Sequence, residues 1–171
     1  MLKQGHTHPL NIVVIVAALG YFVDIYDLIL FSIVRVPSLQ EIGIVSDQIK
    51  NSGVYLLNMQ MIGMLLGGIV WGILGDKKGR LSTLFLTILL YSLANIANGF
   101  VHTLNQYAIL RLIAGFGLAG ELGIGITLVS EVMTKETRAW GTSIVSGIGI
   151  LGAALAFLVS EWVLNKFSAS K

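Results

Sequence analysis

Four ionisable residues, Asp24, Asp27, Arg111 and Glu121, fall inside long apolar runs. In a bilayer an ionised side chain at such a position costs about 2.5 kcal/mol or more unless it is paired or hydrated. That cost makes each of them a candidate for carrying protons or holding a solute. Asp24 and Asp27 are three residues apart and share a helix face with Tyr21, while Tyr26 lies off that face. Two acids on one face can share a proton, and the approach of Arg111 would govern its uptake. The competing reading is a static Asp27–Arg111 ion pair that fixes two helices. Glu121 has no basic residue within one turn. It reads either as a second proton or substrate group or as a protonated acid bonded to a neighbouring helix.

Only membrane-crossing helices can position such residues. Hydrophobic residues make up 55% of the 171 and charged residues 12%, against about 45–50% and about 25% in soluble domains. A helix crosses the hydrocarbon with about 20 apolar residues. The apolar windows predict five spans, at about 11–34, 54–74, 81–100, 107–130 and 142–162, in a single membrane domain over 1–171. On these windows Asp27 and Arg111 lie about 10 and about 6 Å from the outer ends of their helices, and Asp24 and Glu121 about 15 and about 21 Å. The first run is longer than the apolar core of a secretory signal and has no A-x-A-like cleavage site, so it reads as a mature helix.

Five spans put the termini on opposite sides. Lys3, Lys77, Lys78, Arg80, Lys135 and Arg138 fall on the N-terminal side, against Arg35, Lys50, Lys166 and Lys171 on the other. The excess favours a cytoplasmic N-terminus. Within the spans, Gly63-x-x-x-Gly67 and Gly68-x-x-x-Gly72 allow helix backbones to approach closely, as static packing or as faces that rock. Asn58, Gln60, Asn95 and Asn98 predict interhelical hydrogen bonds.

Several function classes are excluded. The formal net charge is +2, with the basic residues in short loops, which argues against a nucleic-acid partner. Without cysteine there is no disulfide, haem thioether or thiolate metal site. His6, His8 and His102 are too dispersed to hold a metal, and His6 with His8 reads as a solvated tail. Gly115-Phe116-Gly117-Leu118-Ala119-Gly120 matches a dinucleotide fingerprint, but it lies in a helical apolar run without the strand that the fingerprint requires. No nucleophile–base pair, metal cluster or phosphate cradle marks an enzyme, and no cofactor is expected.

Between the second and third spans lies Gly72-Ile73-Leu74-Gly75-Asp76-Lys77-Lys78-Gly79-Arg80, whose charges and glycines predict a cytoplasmic hairpin in water. Its spacing, Gly72-x-x-x-Asp76-Lys77-x-Gly79-Arg80, resembles the signature between helices two and three of the major facilitator superfamily (MFS), with Leu81 and Ser82 where further bases are common. Arg111-x-x-x-Gly115-x-Gly117 resembles that family's Arg-containing fourth helix. Glu131 and Arg138 resemble the E-x6-R element of its sugar and metabolite porters, with Thr134 and Ala139 where Pro and Gly are frequent. Asp24-x-Tyr26-Asp27-Leu28 looks like the first-helix signature of metabolite:proton symporters.

The resemblance implies an all-α integral membrane fold: five helices of an MFS N-terminal six-helix bundle, truncated before helix six. It implies secondary active transport of a small solute, with proton symport by alternating access and import as the direction. Asp24, Asp27, Arg111, Glu121 and Tyr21 are then the proton and substrate candidates. Gly72, Asp76, Lys77, Gly79, Arg80, Glu131 and Arg138 form a cytoplasmic gating network that works through contact with the second half. The implied partners are the lipid bilayer of the cell (inner) membrane, a solute with protons, and a C-terminal bundle or second chain. A transport-inactive fragment and a small homodimeric transporter are the alternatives.

Overall fold

The computed structural model describes residues 12–168, and among these there is no strand. The helices are α1 (Ile12–Glu41), α2 (Ile49–Lys78), α3 (Arg80–Asn98), α4 (Leu104–Val132) and α5 (Lys135–Ser168), with a short 3-10 turn at Ser46–Gln48 before α2. All five are long and apolar enough to cross a membrane. Four of them run beyond the apolar windows, α1 by seven residues to Glu41 and α5 by seven residues back to Lys135. The windows mark the stretch that crosses hydrocarbon, whereas the backbone ladder continues wherever its own bonds can form, headgroup layer included. Asp27 therefore stands about 21 Å from the end of α1 rather than about 10 Å, and Arg111 about 10 Å from the start of α4.

The helix ends are set by local chemistry. Past α1, Gly43 takes a positive φ of 88°. Its N–H bonds the carbonyl of Gln40, and that of Ile44 bonds Leu39, which closes a Schellman motif. At α4, the Gln106 N–H donates to the Thr103 hydroxyl while its side-chain oxygen accepts from the His102 N–H. This is a reciprocal cap of the capping-box kind. At α5, the Arg138 N–H bonds the carbonyl of Thr134.

The charged stretch between α2 and α3 is exposed from Asp76 to Gly79, but its turn is far shorter than the nine residues expected. Gly72, Gly75, Asp76, Lys77 and Lys78 all continue α2, and the break falls on Gly79 alone. Its φ of 93° is one that residues with a side chain rarely adopt. Lys77 and Lys78 occupy the last turn of α2, where cations complement the helix dipole.

The chain divides into two compact units, one holding α1 to Val34 with α4 from Ile126 and α5, the other holding Arg35–Gly125. In the first, Val14, Ala18, Val129, Met133 and Val145 form an apolar cluster with Ala17, Tyr21, Ile144 and Ile148 against it. In the second, α4 packs on α2 and on α3 through glycines. A Cβ at Gly63 would run into the carbonyl of Leu112, one at Gly67 into that of Phe116, and one at Gly115 into that of Gln60. Trp71 clamps this seam: its Nε1–H donates to the Phe116 carbonyl at 2.8 Å, and the two rings lie 5.2 Å apart. On the α3 side, Gly117 faces Tyr91 and Thr87, and Gly120 faces Thr87 and Trp71.

Candidate functional site

In the first unit the acids of α1 sit beside a backbone crossing. Asp24 has 0% exposure, while Tyr21 and Asp27 are half-buried. A Cβ on Gly152 of α5 would clash with the Phe22 carbonyl and come within 3.3 Å of the Tyr26 nitrogen, so α1 and α5 touch through backbone on both sides of Asp24. One turn earlier, Gly149 accepts the ring of Tyr21. Gly149 thus seats the Tyr21 ring on α5, and Gly152 brings the α1 backbone onto α5 at the level of Asp24.

Beside Tyr21 lies a cavity of about 230 Å³ lined by Tyr21, Ile126, Val129, Thr142, Val145 and Ser146. Its walls are aromatic and aliphatic, with hydroxyls from three residues. The Thr142 hydroxyl is turned on its own helix, onto the carbonyls of Arg138 and Ala139 at 3.1 Å. Thr142 and Ser146 are not among the residues that the sequence singles out. Their four-residue spacing, which puts both hydroxyls on one face of α5, was the available signal.

In the second unit Arg111 is buried. Its Nη2 donates to Asn95 Oδ1 at 3.3 Å, and its guanidinium carbon stands 5.7 Å from the centre of the Tyr107 ring. The bond ties α4 to α3, as the expected interhelical bonding required. Gln60 departs from that expectation: it is 2% exposed, and neither amide atom has a hydrogen-bond partner. The Asn98 amide likewise has none, and Asn58 faces outward. Glu121 is buried next to Gly120, in the middle of α4. Arg111 and Glu121 lie ten residues apart on one helix, about 15 Å along its axis.

At the charged ends, Asp76 and Arg80 form an ion pair at 3.1 Å across the α2–α3 break. Glu131 is exposed in the last turn of α4, and Arg138 is exposed in the first turn of α5. Between them the hydroxyls of Thr134 and Thr137 bond at 3.0 Å. Among the described residues no group of His, Cys, Asp or Glu could hold a metal.

Buried charge on long apolar helices packed by glycine describes a multi-pass membrane protein built to hold polar groups inside the bilayer. A profile of the Major Facilitator Superfamily matches residues 13–170, and the chain belongs to that family. It is 35% identical to a niacin transporter of Acinetobacter baylyi over 66% of this chain and 26% of the relative. It is 31% identical to a low affinity inorganic phosphate transporter of Petunia hybrida, over 91% of this chain and 32% of the relative. It is 29% identical to a benzoate transport protein of Acinetobacter baylyi, over 86% and 32% respectively. The chain spans about a third of the length of the curated relatives it matches. No solved structure matches it.

Proposed function

We propose that this chain is the N-terminal bundle of a secondary transporter that moves a small solute together with protons, by alternating access against a second bundle. Family membership supports transport. The observation that carries proton coupling is Asp24, an acid with no exposure on an apolar helix, beside a glycine-mediated backbone crossing. A carboxyl so placed is expensive to leave ionised and is retained for a use. Asp27 acts with it, one turn along the same face. Arg111, already oriented by Asn95 and Tyr107, is the counter-charge for the solute. Glu121 is a further buried acid for a proton or the solute. The Asp76–Arg80 pair, with Gly72, Lys77, Gly79, Glu131 and Arg138, gates the cytoplasmic side. The N-terminus is cytoplasmic and the membrane is the cell membrane.

Niacin, phosphate and benzoate, the solutes that the relatives are named for, are small acids. A small organic or inorganic acid is accordingly the substrate class to test first. A pH gradient across vesicles should drive uptake of such acids by this chain assembled with a second bundle, and Asp24→Asn and Asp27→Asn should each abolish the driven component while leaving exchange of preloaded solute. Driven uptake that survives both substitutions overturns the proton assignment. Uptake by this chain alone would favour the homodimeric alternative, and none in either form would favour an inert fragment.

A further inference from the structure

The three tryptophans have opposite surroundings. Trp71 is buried in a seam between helices, whereas Trp140 and Trp162 of α5 are 70% and 64% exposed. These two are 22 residues apart, which is about 33 Å along the helix axis and about 40° around it. They therefore stand on one face of α5, separated by about the thickness of the bilayer hydrocarbon, ~30 Å. Between them that face shows Gly147, Leu151, Ala154 and Leu158, all exposed. The opposite face, with Val145, Gly149, Gly152, Ala156 and Ser160, is buried. From Gly141 to Ser160 there are twenty residues without an Asp, Glu, Lys, Arg or His. Charged residues resume at each end, Arg138 before the first tryptophan and Glu161 beside the second, both exposed.

We infer that this face of α5 is a lipid-contact face, with Trp140 and Trp162 anchored in the two headgroup layers and acyl chains covering the stretch between. Tryptophan concentrates at bilayer interfaces because its ring is apolar and its indole N–H needs a polar partner. A face made for another protein has no reason to set its tryptophans one hydrocarbon thickness apart, with the twenty residues from Gly141 to Ser160 between them free of charge. The assignment fixes depth. The residue midway between the tryptophans is Leu151, 61% exposed, and next to it is Gly152. Gly152 is where α5 meets the backbone of Phe22 and Tyr26. Asp24 between those two residues is thereby placed at the bilayer centre, the depth at which a fixed carboxyl is reachable from either side in turn.

The chain has no cysteine, so single cysteines at Trp140, Leu151, Leu158 and Trp162 can each be tagged with a nitroxide. The chain is then placed in vesicles of phosphatidylcholine and phosphatidylglycerol. Collision of the label with oxygen, which concentrates in hydrocarbon, is compared with collision with a water-soluble nickel chelate. The ratio should peak at Leu151→Cys and fall several-fold and about equally at Trp140→Cys and Trp162→Cys. Low collision with both reagents at Leu151→Cys would mean that protein, such as a second bundle or another copy, covers the face. High nickel collision there would mean water. Either result, or a peak displaced by a turn or more, overturns the inference. The unsubstituted chain gives a second reading: lipids brominated near the headgroup should quench its fluorescence more than lipids brominated at the chain ends, and the reverse order is equally fatal.

Discussion

Gly67 and Gly68 are adjacent on α2, yet they meet different surroundings, and this makes them a controlled test of how the second unit is held together. A Cβ on Gly67 would collide with the Phe116 carbonyl oxygen and lie 2.9 Å from its C and Cα atoms, whereas nothing lies within 4 Å of a Cβ on Gly68. The obstruction is backbone, so no side-chain rotation relieves it, and α2 must back away from α4. Overpacking of this kind costs about 1–3 kcal/mol. Withdrawal also lengthens the 2.8 Å bond from Trp71 to the same carbonyl, and interhelical hydrogen bonds in membranes carry about 0.6 kcal/mol on average. Gly67→Ala should therefore lose about 2 kcal/mol. Gly68→Ala, which removes only backbone freedom in a helix, should change stability little or raise it by up to about 1 kcal/mol. Unfolding by SDS in mixed micelles, followed by tryptophan fluorescence, separates the two. Combining Gly67→Ala with Trp71→Phe should cost less than the sum of the single losses, because both act through Phe116. Equal losses for the two alanine variants, or the larger loss at Gly68, would refute the seam.

Three further outcomes are expected. Gly79→Ala forces a side chain onto a φ of 93° and should cost about 1–3 kcal/mol in the same unfolding experiment; Ser82→Ala, on the exposed side of α3, should cost far less. Asp76→Asn breaks an ion pair that is exposed at the Asp76 side, so stability should move by no more than about 0.5 kcal/mol. A large fall in uptake by the assembled transporter would then report gating rather than folding, and unchanged uptake would remove Asp76 from the gating set. Gly149→Leu should drive the Tyr21 ring off its seat on α5 and into the neighbouring cavity. The expected result is a raised KM for solute with protein yield maintained, and an unchanged KM would separate that cavity from the transport path.

The helix order was legible because hydrocarbon imposes it: each crossing needs about 20 apolar residues, and five such windows stand out. The ends were not, since the ladder runs on into the headgroup layer, and the charged stretch before Arg80 looked like a turn while being helix as far as Lys78. Glycine motifs were visible but not their use. Gly63 and Gly68 head two consecutive small-residue pairs, five residues apart and so about 140° around the helix. One neighbour cannot take both. Only Gly63 and Gly67 meet α4, while Gly68 and Gly72 face open space, and nothing in the spacing says which pair is chosen.

The candidate site divides along a similar line. Charge in an apolar run announces itself through its solvation cost, so Asp24, Arg111 and Glu121 could be found one residue at a time. What surrounds them belongs to other helices and carries no local signal. Asn95 was read as generic interhelical polarity, yet it orients the Arg111 guanidinium. Gln60 was read the same way and makes no hydrogen bond at all. A buried amide left unbonded costs about 1–3 kcal/mol, so helix packing does not account for Gln60 or for Asn98. Gly149 and Gly152 set how α1 meets α5 by what they lack: Gly149 seats the Tyr21 ring, and Gly152 admits the α1 backbone at Phe22 and Tyr26, the level of Asp24. A glycine-to-leucine change at Gly152 should therefore displace Asp24 without touching it chemically. Its transport defect should match that of Asp24→Asn if the position of the carboxyl, and not merely its presence, is what couples protons to the solute.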